Sequence, residues 1–512
     1  MALVTIDTGP LTRSEVVAVA RDGARVRLST SAVAALTRSR THVEALAAAG
    51  DGIYGVSTGF GALATRNIPA SDRARLQRSL IRSHAAGNGA LVETEVVRGL
   101  MLLRIATLAK GRSGVRPETA QAYVDLLNSG LVPAVREFGS LGCSGDLAPL
   151  AQCALALMGE GEVSDAGVLR PTVDAMVEHG LSPVVLVEKE GLALINGTDG
   201  MLGMLVLALA DLESLLDAAD LAAAMSIEGQ LGTDRTFASD LMDLRPQVGQ
   251  AISAAHLRRF LAGSQIRASH QVGDGIIQDA YSLRCSPQVH GSVRDAAAYA
   301  ATIADRELAS AIDNPSVLPD GRLESHGNFH GAPLAHVLDF LAIGVADLAS
   351  ISERRTDRFL DPARNRGLPP FLADDPGIDS GLMIAHYTQA GIASTLKQLA
   401  TPASVDSIPS SAMQEDHVSM GWNAARKLRR AIDGLARVLA IEILTAARGI
   451  DLRRPLRPGP ATGAAIAALR QQVPGPGPDR YLAPEIEAAH LMVRSGALVA
   501  AAQAAAAAKE NA

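Results

Sequence analysis

Aromatic side chains are scarce in this chain: eight Phe, six Tyr and one Trp amount to 3% of 512 residues. An aromatic away from a helical core face therefore stands out. Cysteine is scarcer. Cys143, Cys153 and Cys285 are odd in number and form no Cys-x-x-Cys pair, which argues against a disulfide framework. No excess of one charge sign exists, with 47 Lys and Arg against 54 Asp and Glu and a net charge of −7. That balance gives no footprint for nucleic acid or an anionic membrane. Met1–Pro10 has no basic stretch leading into an apolar core, so no signal peptide is expected. Apolar runs such as Met201–Ala210 are too short to cross a bilayer. These absences point to a soluble, cytoplasmic protein with neither nucleic acid nor membrane as partner.

What the chain has in quantity is hydrophobic residues, 48% of the total, and much of that share is Ala and Leu. Both are strong helix formers. Leu334, Val337, Leu338, Leu341, Val345 and Leu348 recur at three- and four-residue steps, as do Leu428, Ile432, Leu435, Leu439 and Ile443. Such stripes are the core faces of long helices. Thr198 to about Met225 is apolar on more than one face, which predicts a helix buried on most sides. Ala24–Leu28 alternates and reads as a short strand. Pro474-Gly475-Pro476-Gly477-Pro478 must be irregular and precedes a final helical piece with an Ala-rich end, Ala500–Ala508. The expected fold is mainly α: a mixed N-terminal region (1–197), a central long-helix bundle (198–450) and a C-terminal helical region (451–512).

The most informative stretch is Gly139-Ser140-Leu141-Gly142-Cys143-Ser144-Gly145-Asp146. Gly145 has no side chain, so its nitrogen can approach the Cys143 carbonyl carbon. Attack there and loss of two waters would close a five-membered ring over Cys143, Ser144 and Gly145, with Ser144 left as an exocyclic methylene. Ser144 also follows Gly142 at the spacing of a nucleophile elbow, but that motif needs Gly where Asp146 stands. Tyr54-Gly55-Val56-Ser57-Thr58-Gly59-Phe60-Gly61 could pass for a phosphate loop, yet Ala62 and Leu63 replace the Lys and Ser/Thr that such a loop requires.

Both segments closely resemble the signatures of the histidine and aromatic amino-acid ammonia-lyase family. The resemblance continues through Ser83-His84-Ala85-Ala86-Gly87, Asn196-Gly197-Thr198, Gln278 to Cys285, Asp313-Asn314-Pro315, Gly327 to Gly331 and Gln414-Glu415-Asp416-His417. It implies the long-helix bundle of the ammonia-lyase and fumarase-like superfamily. It implies a 4-methylidene-imidazol-5-one prosthetic ring formed from Cys143, Ser144 and Gly145, with no external cofactor. The family usually carries Ala at the first ring position; only that residue's backbone enters the ring, so Cys143 is compatible with it.

The implied chemistry removes ammonia from an amino acid, with the amine accepted by the ring. Tyr54 would be the general base that takes the β-hydrogen. A phenol of pKa about 10 needs an electropositive pocket to ionise readily. Helix N-termini around the ring would stabilise the electron density pushed onto it. Arg284 would hold the substrate carboxylate with its planar fork. Gln278 and Tyr281 would orient substrate and ring, Asn196 would contact both, and Phe329 would line the pocket. Phenylalanine-specific relatives usually carry an apolar residue and Gln where His84 and Glu415 stand here. An anionic Glu415 and a hydrogen-bonding His84 suit an imidazole, which implies deamination of L-histidine to trans-urocanate. Other aromatic substrates, an aminomutase and a non-catalytic scaffold are the alternatives. His326 and His330 are four apart, but Gly327 favours a loop and no metal is expected. The family pattern also implies a homotetramer with shared active sites, in which Tyr54, Ser144 and Glu415 would not all meet within one chain.

Overall fold

A computed structural model describes residues 2–49, 53–59, 61–271 and 277–510, and it is 60% helical with few strands. Phe60, inside the Tyr54–Gly61 motif, lies outside the described residues. The chain packs into two compact units that interleave along the sequence. One contains Met1–Leu207, Ala301–Asp339 and Pro402–Arg426; the other contains Ala208–Ala300, Phe340–Thr401 and Lys427–Ala512. Every strand among the described residues belongs to the first unit.

The anticipated strand is there as Arg25–Leu28, paired in parallel with Leu3–Ile6. A parallel pair needs a crossover. Here it is the Arg13–Ala20 helix, started by a capping box between Thr12 and Glu15. The remaining sheets are small: Asn88–Leu91 with Arg136–Phe138, a three-stranded sheet through Glu162–Asp165, and Ser316–Val317 with Leu323–Glu324.

Four long helices, Asp199–Gly229, Ser286–Ala309, Ala332–Leu360 and Gly421–Asp451, each contribute residues to both units. The Leu334 and Leu428 stripes are buried, and the Asp199–Gly229 helix is buried on almost every side. The Ala332–Leu360 helix corrects one expectation: by length and composition it is apolar enough to cross a membrane. It exceeds any unbroken apolar run because its polar residues are spaced along it. Of its most apolar window, 67% is buried inside the protein, as in the core helix of a bundle. Within the second unit a buried carboxylate joins three of these helices. Glu442 accepts from Arg355 at 2.5 and 2.9 Å, from Ser226 Oγ at 2.7 Å and from Ser352 Oγ at 2.5 Å. Pro474–Pro478 is irregular, followed by helices Ala483–Arg494 and Ala497–Glu510.

In the first unit the fully buried Arg104 sits on the Thr94–Ala109 helix. Its Nη1 donates to the carbonyls of Ala193 (3.0 Å) and Asn196 (2.8 Å), and its Nη2 donates to the carbonyl of Ile312 (2.9 Å). Nη2 also lies 3.1 Å from the Asp199 carboxylate. Removing one partner of a buried pair leaves an uncompensated charge, at about 3–5 kcal/mol. Arg104→Met should therefore lower the midpoint of thermal unfolding substantially. An unchanged midpoint would show that Arg104 is not the tie described.

Candidate active site

Four stretches far apart in sequence converge on one cleft in the first unit. Its volume is about 420 Å3, and its walls include Tyr54, Cys143, Ser144, Asn314, Phe329 and Glu415.

The ring segment is held by its neighbours. Gly145 has φ +83°, in the left-handed region, and forms a parallel bridge with Gly197. A Cβ on Gly145 would collide with the Gly197 backbone, so only glycine fits there. Asp146 N donates to Gly197 O at 2.7 Å. The buried Asp146 carboxylate accepts from Gly200 N and Met201 N, both at 2.9 Å, and from Ser140 Oγ at 3.0 Å. Burial pushes its pKa up to about 7, while these donors pull the other way. Two helices, Leu147–Leu157 and Asp199–Gly229, begin beside the segment, and Asp146 occupies the first N–H groups of the second. Asn196 donates Nδ2 to Asn314 O at 2.9 Å, and its Oδ1 is buried without a hydrogen-bond partner. A glycine that alone fits its place at 145 is compatible with a ring closed over Cys143–Gly145.

Glu415 reaches this segment because the chain after it is tied down. Met420 N donates to Leu141 O and Ser419 Oγ to Gly142 O, both at 2.9 Å. Before it, Ser410 and Glu415 bridge across a turn in which Ser411, Ala412 and Met413 all have positive φ. Left-handed conformations cost non-glycine residues about 1–2 kcal/mol each, and they persist only where the surroundings enforce them. The carboxylate of Glu415 then accepts from Ser144 Oγ (3.2 Å), Cys143 Sγ (3.0 Å) and Ser410 Oγ (3.1 Å). Burial first, then the bonded Glu415, pushes the Cys143 thiol up to about 12.

Tyr54 sits in a turn closed by Val56 N and Ser57 N on Ile53 O. Gly55, at φ +79°, packs so closely on Leu192 and Pro315 that a Cβ would be 3.3 Å from each. The Tyr54 hydroxyl accepts from Gly61 N at 3.3 Å. His84, at the end of the Arg73–His84 helix, donates Nδ1–H to Leu80 O at 2.9 Å, which leaves Nε2 as the acceptor of its neutral ring. Burial lowers its pKa; the Leu80 carbonyl and the charge of Glu415 raise it.

The expectation that Tyr54, Ser144 and Glu415 would not meet in one chain is thus corrected. All three line the same cleft, because the turns that carry them are anchored within one unit. Gln278, Tyr281 and Arg284 belong to the other unit and are not among the lining residues. There, the Arg284 guanidinium stacks 4.7 Å from the centre of the Tyr281 ring, and its Nε is buried without a partner.

Several cleft residues carried no assigned role in the sequence reading. His326 lies in a loop, not a helix; it accepts at Nδ1 from Asn328 N and donates from Nε2 to Ser316 Oγ at 2.8 Å. His330 and His417 stack in parallel, 5.8 Å between centroids. Behind the Tyr54 turn, Lys189 and Asp313 form a fully buried ion pair at 2.6 Å. The motifs containing Asp313, His330 and His417 were the available signal, without the geometry to say what they touch. Among the described residues, Asp217, Asp220 and His256 form the one cluster with metal-like spacing. Arg294 already bridges both carboxylates at 2.8 and 2.7 Å, so the cluster is an ion-pair network.

A family model described as aromatic amino acid lyase matches residues 11–471. The chain belongs to the aromatic amino acid lyase family. It is 61% identical over 505 residues to the histidine ammonia-lyase of Streptomyces avermitilis, covering 98% of this chain and 99% of that one. The histidine ammonia-lyase of Deinococcus radiodurans is 49% identical, covering 97% and 94%. Among solved structures, histidine ammonia-lyase from Trypanosoma cruzi superposes with a TM-score of 0.90 at 39% identity, over 98% of this chain and 95% of that one. Tyrosine aminomutase from Streptomyces globisporus does so with 0.93 at 35%, over 98% and 99%. This lyase-family chain therefore shares its fold with relatives of differing substrate and outcome.

Burial depresses the pKa of both His84 and His326. The unfolded chain then binds more protons than the folded one, so stability falls as pH drops through the ordinary imidazole value of 6.5 toward the depressed values. The double variant His84→Gln, His326→Gln should lose less unfolding temperature between pH 7.5 and 5 than the wild type. Equal losses would refute the assignment.

Proposed function

We propose that this lyase converts L-histidine to trans-urocanate and ammonia, as a cytoplasmic homotetramer with shared active sites. The observation that carries the substrate reading is the Glu415 carboxylate, bonded to Ser144 and Cys143 in the cleft that also holds Tyr54. A carboxylate whose charge reaches a neutral His84 is a polar, anionic surround that suits an imidazole and disfavours a phenyl ring. The methylidene-imidazolone formed from Cys143, Ser144 and Gly145 supplies an electrophile that ordinary side chains lack.

The side chains divide the remaining work. Tyr54 takes the β-proton as general base, its oxygen held at the cleft wall by Gly61 N. Glu415 and His84 Nε2 accept from the two N–H groups of the substrate imidazole in its protonated form. Asn196 offers its unpaired Oδ1 to the substrate amine. Phe329 closes one wall. Arg284 binds the substrate carboxylate, with Tyr281 and Gln278 orienting it, from a neighbouring copy in the tetramer. The likeness to a tyrosine aminomutase supports one second reading, re-addition of ammonia at the β-carbon.

Addition of L-histidine should generate the absorbance of urocanate, with no β-amino acid among the products. Glu415→Gln should reduce kcat/KM for histidine roughly 10- to 100-fold, the worth of a hydrogen bond to a charged group. His84→Leu should weaken histidine use and admit phenylalanine. If both variants keep wild-type histidine kinetics, the substrate reading fails.

Peptide mass should fall by two waters across Cys143–Gly145. Ser144→Ala should lack that loss and be inactive. Tyr54→Phe should show it in full and still lose about 10²- to 10⁴-fold in turnover, the contribution of a general base. Full activity from an unmodified peptide would end the mechanism.

A further inference from the structure

The three donors on Glu415 are not equivalent once the ring closes. Ser144 Oγ binds Oε1, whereas Cys143 Sγ and Ser410 Oγ both bind Oε2. In ring closure, Gly145 N bonds to the Cys143 carbonyl carbon. That carbonyl oxygen leaves as water with the amide protons of Gly145 and Ser144. The Ser144 hydroxyl leaves as a second water with the Ser144 Cα proton. The donor on Oε1 is therefore consumed, and the two donors on Oε2 survive.

We propose that the Cys143 thiol is a positioning residue for substrate selection: with Ser410 it fixes Oε2 of Glu415, so that ring closure leaves Oε1 as the open acceptor for the substrate imidazole. This rests on the reading of L-histidine as substrate.

The surroundings fit that role. Cys143 is 7% exposed and packs with Val418 and Met420, next to Leu141 and Ala403. The thiol has little freedom to turn away, and Val418 and Met420 lie on the segment that follows Glu415. Burial and Glu415 together keep the sulfur protonated, its pKa about 12, so it remains a donor throughout the working pH range. The ring takes only the backbone of residue 143 and leaves this thiol in place. Ser410 is tied to Glu415 through the backbone as well, Ser410 N donating to Glu415 O at 2.9 Å. The strained turn between them holds Ser410 Oγ beside Oε2. An Ala at 143 would leave Ser410 as the one donor to Oε2 among the described residues, and the carboxylate could rotate.

The test uses full-length Cys143→Ala and Cys143→Ser enzymes, each checked by peptide mass for the loss of two waters. Cys143→Ala should raise KM for L-histidine about three- to tenfold with kcat changed less than about twofold, the scale of one hydrogen bond. Cys143→Ser keeps a donor and should restore KM. A second readout needs no substrate: the infrared S–H stretch of Cys143 should shift to higher frequency in Glu415→Gln, where the acceptor loses its charge. An unshifted band overturns the contact whatever the substrate is. A shifted band in an enzyme inert toward histidine retires the histidine reading and the selection role together while the contact stands. Unchanged KM in Cys143→Ala, or a ring that fails to form there, overturns the positioning role.

Discussion

A buried guanidinium is the constraint on which the site rests. Arg104 is fully buried, so its Nη1 and Nη2 groups are met by protein acceptors. Those acceptors lie in the stretch 193–199 and at Ile312, and satisfying them brings both against the Thr94–Ala109 helix. Gly197 must then be glycine, since a Cβ would come within 2.5 Å of Arg104 Nη2. Gly197 in turn receives Asp146 N and bridges Gly145. The position of Cys143–Gly145 is thus transmitted from a cation that is not among the residues lining the cleft. The same stretch, 193–199, carries Asn196.

A second set of contacts brings Glu415 to that scaffold. Glu415 is 271 residues from Ser144 along the chain yet lies within hydrogen-bond distance of it. Met420 and Ser419 anchor the approach on one side, and a turn with three left-handed residues sets it on the other. Strain of this kind is found where the surrounding structure over-determines a conformation. The result is a carboxylate placed directly against Cys143 and Ser144. The buried Lys189–Asp313 pair plays a related part behind the Tyr54 turn. Asp313 precedes Asn314, which lines the cleft and whose carbonyl receives Asn196.

The family and the segments that line the cleft were legible in the chain. The need for glycine at 145, the small residues around Ser144 and the Tyr54 motif each have local causes, and local causes leave local patterns. The long helices were legible for the same reason: a 3.6-residue period shows within a single segment. Arg104 was not, because an arginine in an apolar run has no local mark that separates a buried tie from a solvated charge. The roles of His326, His330 and His417 were hidden likewise; the residues stood inside quoted motifs, but their partners Ser316 and the His417 carbonyl are tertiary neighbours.

The sequence by itself determined the family and the helical architecture, and it marked Cys143, Ser144 and Gly145 as the residues proposed to form the ring, since each is written in contiguous or periodic residues. Only the tertiary structure decided that Tyr54, Ser144 and Glu415 share one cleft, and that Gln278, Tyr281 and Arg284 are not in its lining. It also decided which oxygen of Glu415 each donor takes. Distances between residues hundreds of positions apart depend on how buried charges and close-packed glycines are satisfied together, and no single segment contains that information.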